Sequence, residues 1–236
     1  NEINRHNTGF YLGLTLQTQT IFSYLSKNSE ILNVNSKVET DTSRDATKVC
    51  FLIEDHPGIF SRLAGAIALS GANVIDARTY TTSDGYATSV FWIQSNEGKP
   101  FEENRLSKLN KTINEALKGQ IIARDILKEK GKIKRKEKDF IVPTNITFDN
   151  EGSEIHTIIE IETRDRLGLL YDLARTLSDN YTSISSAIIA TYGEQAVDTF
   201  YVKDLFGLKL LSQNKREILE KKIKEVIQAG TLIGPN

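Results

Sequence analysis

The chain has 236 residues, a net charge of −1 and a pI near 6.4, so no global field draws it onto nucleic acid or an anionic membrane. Its one cysteine, Cys50, has no partner for a disulfide and suits a reducing compartment, so a cytoplasmic setting is expected. No stretch approaches the roughly 18 continuous apolar residues of a membrane span, and the Asn-rich start is no signal peptide. The absence of methionine, even at position 1, hints at a piece of a longer protein.

Residues 1–30 carry Phe10, Tyr11, Ile21, Phe22, Tyr24 and Leu25 among polar residues. Thr18–Ser26 reads as a short helix within a connector too short and too polar to be a domain. Ile31–Thr40 alternates apolar and polar positions, and a polar turn leads into Thr47–Glu54, the pattern of a hairpin. Then come a tight turn, Asp55-His56-Pro57-Gly58, an amphipathic helix over Ile59–Leu69, a strand Val74–Thr82, a Ser83-Asp84-Gly85 turn and a strand Tyr86–Gln94. A second helix follows, with Leu106, Leu109, Ile113 and Ala116 on one face. Pro57 fits a first helical turn, and Asp55 is placed to cap it.

The same order returns 110 positions later, from Asp55 to Asp165. Thr144–Asp149 precedes Ile155–Thr163, the turn is Asp165-Arg166-Leu167-Gly168, and the helix covers Leu169–Leu177. Strands Ile184–Thr191 and Ala196–Lys203 come next, and Leu219, Ile223, Val226 and Ile227 mark a last helix. Leu63/Leu173, Ala64/Ala174, Ala77/Ala187 and Thr81/Thr191 are identical at the constant offset. Length and duplication together predict two α+β units over 31–118 and 143–230, a connector 1–30, a linker 119–142 and a tail 231–236. Each unit is expected to be a ferredoxin-like plait with a four-stranded antiparallel sheet and two helices. No strand follows the final helix, so the leading strands, 31–40 and 143–149, are expected to fill the vacant edge of their own units. Whether the units pair within one chain or across a dimer is open at this stage.

Chemistry is sparse. His6, His56 and His156 are not at metal-ligand spacing, and no cysteine–histidine nucleophile is supported. Asp76, Asp84, Glu160, Glu162 and Asp198 have no acid/base partner that spacing can name, and suit a sheet edge or solvent face. Phe91-Trp92 and Phe200-Tyr201 place one ring of each pair toward the helices and one outward, which could stack bases. The charge balance speaks against that partner. Gly119–Lys138 holds eight Lys/Arg against three Asp/Glu and reads as a solvated linker, with an acidic partner as the alternative. What remains is the turn: strand, Asp-x-x-Gly and helix present unsatisfied N–H groups that can receive a carboxylate.

Residues 54–94 and 163–210, with DARTYTTSDGYA, FDNEGSEIHT and ATYGEQAVDTFYVKDLFG, resemble the tandem ACT domains at the C-terminus of bacterial PII uridylyltransferase/uridylyl-removing enzymes. The likeness runs from about residue 31 to 230. It implies a glutamine-sensing region that shifts the balance between uridylylation of the PII signalling protein and its reversal. The catalytic domains of that family, expected to use Mg and UTP, lie outside this chain, which itself is expected to hold no catalytic residues, metal or cofactor. Carried over by position, the ligand residues are Asp55, His56, Pro57, Gly58 and Ile59 with the strand start Asn73, Val74, Ile75 and Asp76. The second copy offers Asp165, Arg166, Leu167, Gly168 and Leu169 with Ser183, Ile184, Ser185 and Ser186. It departs from the family pattern at Leu167, where proline is usual, and has Arg166 and Ser183 where the first copy has His56 and Asn73. A ligand-independent module that contacts PII or the catalytic domains is the alternative.

Overall fold

The structure, a computed structural model, describes residues 6, 8–27, 35–118 and 142–232. The first residues of the expected strand 31–40, the basic linker over 119–141 and the end of the tail, 233–236, lie outside them. In chain order the elements are α1 (Thr8–Gly13), α2 (Leu16–Lys27), β1 (Asn35–Asp41), β2 (Ala46–Glu54), α3 (Ile59–Leu69), β3 (Asn73–Thr81), β4 (Tyr86–Gln94) and α4 (Glu103–Leu117). The second unit repeats the last six as β5 (Asn145–Asp149), β6 (Thr157–Arg164), α5 (Leu169–Asp179), β7 (Thr182–Tyr192), β8 (Gln195–Asp204) and α6 (Gln213–Leu232).

All eight strands join one antiparallel sheet in the order β1-β2-β4-β3-β7-β8-β6-β5. β1 pairs with β2 and β5 with β6, so each leading strand fills the edge of its own unit, as expected. The two units meet within the chain where β3 pairs with β7 through Asp76↔Ile188, Ala77↔Ala187 and Arg78↔Ser186. Ala77 and Ala187 are equivalents in the repeat, so each copy pairs with its counterpart around a local two-fold axis. Both strands carry the same irregularity, between Val74 and Asp76 and between Ile184 and Ser186.

Alternation of side chains on each strand sends one set toward α3, α4, α5 and α6. There Phe51, Leu63, Ile67, Phe91 and Ile113 of the first unit join Ile159, Leu173, Leu177, Phe200 and Ile223 of the second in one apolar core. α3 packs against α5 across the two-fold axis, and α4 and α6 pack against α3 and α5.

The other face of the first unit is covered by α1 and α2, from the segment expected to be a connector. Phe10, Leu14, Ile21, Phe22 and Leu25 form a second core with Ala46, Cys50, Leu52, Val90 and Trp92. Under it Lys48, only 2 % exposed, is neutralised by Glu39 at 2.9 Å and donates to Thr18 Oγ1 at 3.2 Å. Of the two rings predicted to face outward, Trp92 does so without being open: its indole donates to Asp41 at 2.8 Å and lies beneath the Arg44 guanidinium at 4.1 Å. Among the described residues no helix is long and apolar enough to cross a membrane.

Candidate ligand site

The first turn is built from two backbone anchors and a glycine. Asp55 N–H donates to Gly85 O at 2.9 Å, Ile59 N–H to His56 O at 3.0 Å, and Gly58 takes φ +86°, a conformation that L side chains resist. α3 starts at Ile59, so Pro57 lies in the turn ahead of it and not in the first helical turn. Asp55 is not its cap either. No side chain caps α3, and the Asp55 carboxylate instead accepts a hydrogen bond from Thr81 Oγ1 at 2.6 Å, joining the turn to the end of β3. Ile59 N–H is taken by His56 O, so the N–H groups that stand at the helix start without a side-chain cap are the next two, of Phe60 and Ser61.

His56 links this turn to α4. Its Nδ1 lies 3.0 Å from Pro57 O and its Nε2 3.0 Å from Arg62 Nη1. A carbonyl can only accept and a guanidinium only donate, so the proton sits on Nδ1 and Nε2 accepts. Arg62 Nη2 then donates to Leu117 O, the last residue of α4, at 2.8 Å.

The second turn keeps the frame and replaces the His56–Arg62 hydrogen bond with an ion pair. Asp165 N–H donates to Glu194 O at 2.8 Å, Leu169 N–H to Arg166 O at 3.0 Å, and Gly168 has φ +81°. Arg166, in the place of His56, pairs at 2.6 Å with Asp172, in the place of Arg62, and packs against Gly230 near the end of α6. Leu167 replaces Pro57 without disturbing the turn.

The strand starts sit elsewhere than the sequence suggests. Asn73 pairs with Gln94 and Thr81 with Ala87, so Asn73 lies at the opposite end of β3 from Asp55, roughly 25 Å away at strand rise. Asp55–Ile59 and Asn73–Asp76 therefore do not meet, and neither do Asp165–Leu169 and Ser183–Ser186. The antiparallel β3–β7 seam exchanges them instead. From Arg78↔Ser186 the pairing runs toward Thr81 on one strand and Ser183 on the other, which sets Ser183 on the side of the first turn. By the same symmetry Asn73 goes with the second turn. A side chain built on Gly58 would stand 3.2 Å from Ser178 Oγ near the end of α5, the same cross-unit proximity seen from the helices.

Not every expected residue points the same way. Val74 and Ile184 face the helix layer. Asp76 and Ser186, one position before the inward-facing Ala77 and Ala187, face the other side of the sheet. Asp76 is 7 % exposed and held there by Arg44 and Arg78, so it is neither a solvent-face carboxylate nor aimed at a turn. Asn73 and Ser183 stand exposed at their strand starts.

Sequence reasoning missed Thr81, whose identity with Thr191 was the available signal, and misplaced Asp198. That carboxyl points inward from β8, is 2 % exposed, and has an oxygen with no hydrogen-bond partner. Burial, assisted by the charge of Asp165, pushes its pKa up to about 8, so at neutral pH it carries its proton. Its counterpart in the first unit, Ser89, shares a 2.7 Å hydrogen bond with Thr79, a partner that the second unit replaces with Ile189.

Residues 145–232 match a family model described as "ACR9-like, ACT-like domain". The chain is 54 % identical over 229 residues to the bifunctional uridylyltransferase/uridylyl-removing enzyme of Cereibacter sphaeroides, covering 97 % of this chain and 25 % of that protein. It is 53 % identical to the enzyme of the same name from Ruegeria pomeroyi, covering 97 % and 26 %, and 46 % identical to that of Azospirillum brasilense, covering 78 % and 20 %. The chain belongs to the ACT region of this enzyme family. It spans about a quarter of the length of the relatives it matches. The ACT assignment agrees with two plaits side by side in one sheet, their turns brought to opposite ends of a shared seam.

Proposed function

We propose that this ACT region senses glutamine, with one site at each end of the β3–β7 seam. The first combines Asp55–Ile59 with Ser183 and Ile184 from the other unit, and the second combines Asp165–Leu169 with Asn73 and Val74. The observation that supports this reading is the antiparallel seam, whose register runs each strand start toward the end of the sheet that holds the other unit's turn, so a ligand held there would touch both units. Its carboxylate meets the uncapped N–H groups at the helix start, and its ammonium meets strand-end carbonyls or, in the second site, the Asn73 amide. A ligand changes the balance of two arrangements only by binding them unequally, and a bridge across a seam of three residue pairs is able to do so. In the longer enzyme the bound signal shifts the balance between uridylylation of the PII protein and its reversal, chemistry that belongs to other parts of the polypeptide.

Calorimetry with glutamine and with glutamate tests this directly. Glutamine is expected to release or absorb measurable heat at millimolar concentration while glutamate gives a weaker response. Silence for both amino acids refutes the proposal.

A further inference from the structure

The two units join their last strand to their last helix with the same backbone. Ser95 N–H donates to Lys99 O at 2.8 Å and Gly98 N–H to Ser95 O at 3.0 Å; Asp204 N–H donates to Leu208 O at 2.8 Å and Gly207 N–H to Asp204 O at 3.0 Å. The glycines take φ +71° and +78°. Beyond each turn, Phe101 N–H and Leu210 N–H donate at 2.8 Å to equivalent threonine hydroxyls, Thr47 and Thr157.

On that shared frame the exposed positions carry opposite chemistry. The first unit has Asn96, Glu97 and Lys99; the second has Leu205, Phe206 and Leu208, with 53 %, 85 % and 63 % of their surface exposed, and Leu211 adds another at 70 %. Since the polar set is accommodated by the same hydrogen bonds, the turn does not require the apolar one. A cluster of large apolar side chains that the turn does not need and that the described residues leave exposed marks an interaction surface.

We propose that Leu205, Phe206, Leu208 and Leu211 form a knob that seats in an apolar pocket of another domain of the same, longer polypeptide. This rests on the reading that the chain is the regulatory part of a longer enzyme. Three observations select that occupant. The relatives that match nearly all of this chain are about four times as long, so they contain domains for the knob to meet. The rim is close to neutral, with Lys203 and Lys209 set against Glu151 and Glu154 on the adjoining β5–β6 connection, which Lys209 touches through Asn150 O. It therefore lacks the positive field that nucleic acid or an anionic lipid surface selects. Four side chains bury far less than the roughly 1,200 Å² of a stable interface between free partners, whereas a tethered domain is present at high effective concentration. The knob also adjoins the first proposed site, because Asp204 pairs with Thr182, next to Ser183.

The test uses the intact enzyme with p-benzoylphenylalanine in place of Phe206, and the same residue at Asn96 as control. Irradiation of the purified protein is expected to link position 206, and not position 96, to a peptide outside residues 1–236 of the same molecule. Links only between two copies, links only to added lipid vesicles, or no excess over position 96 each overturn the proposal. With the photoreactive residue moved to Leu211, the exchange Leu205→Asn, Phe206→Glu and Leu208→Lys is expected to cut the intramolecular link at least tenfold while melting stays unchanged. An undiminished link overturns the proposal as well. Glutamine calorimetry on the same variants separates the two readings: heat with no link sinks the knob alone, and a link with no heat sinks glutamine sensing alone.

Discussion

Gly58 must take φ +86°, and a methyl group there stands 3.2 Å from Ser178 Oγ. Gly58→Ala is therefore expected to cost about 1–2 kcal/mol from the left-handed backbone, lowering the melting temperature by roughly 3–6 °C in a chain of this size. Glutamine affinity is expected to fall in the same variant, as measured by calorimetry well below the melting point. Unchanged stability would mean that the turn relaxes freely. Asp198 sets a second expectation. Its folded-state pKa, about 8, lies above the ordinary carboxyl value of 3.8, so the folded chain binds a proton that the unfolded chain has released between those limits. Stability from this group is thus present at low pH and is lost as pH rises toward 8, with a slope of up to about 1.4 kcal/mol per pH unit. Asp198→Asn is expected to flatten that slope in urea unfolding series from pH 5 to pH 8 and to gain most at the alkaline end. The glycines were legible in the sequence as turn residues. The fate of Asp55 was not, because its partner Thr81 is 26 positions away and comes within reach only once β2, β4 and β3 have paired.

The helical hairpin α1–α2 is the element that the sequence concealed. Its apolar residues are split between two short helices, and the surface they cover belongs to strands that begin after residue 34. Nothing local reveals that the second face of β2 and β4, with Cys50, Val90 and Trp92, needs a roof. The strands themselves were legible because alternation and turn chemistry agree with each other at every hairpin. The hairpin shields Cys50, whose pKa burial pushes up to about 12, so the thiol is expected to resist alkylating reagents in the native chain. Phe22→Ala, at a fully buried position, is expected to destabilise by about 3–5 kcal/mol and to raise the labelling rate of Cys50. Equal labelling before and after the substitution would show that the roof contributes no protection. Glu39→Ala is expected to cost about 2 kcal/mol by leaving Lys48 charged and buried, less than a fully enclosed pair would because Glu39 is partly exposed. Lys48→Met in the same background is expected to restore most of that loss in urea unfolding.

For the whole molecule, the consequence of duplication is the seam. A repeat in the sequence predicts two similar units, and the identity of Ala77 with Ala187 is its only trace of the axis about which they pair. That each strand start runs toward the other unit's turn cannot be read from either unit alone, since it follows from the antiparallel direction of β3 and β7. Grouping each turn with the strand start of its own copy was the natural inference from sequence order, and strand length defeats it. Within each unit the turn is tied to the last helix: His56 and Arg62 link the first turn to α4, and Arg166, Asp172 and Gly230 link the second to α6. The most direct test is a glutamine titration followed through backbone amide shifts. Shared sites predict that Asp55–Ile59 and Ser183–Ile184 move together along one binding curve, with Asp165–Leu169 and Asn73–Val74 moving together along theirs. Movement of Asp55–Ile59 with Asn73–Val74 and without Ser183–Ile184 would contradict the account, as would no movement at millimolar glutamine.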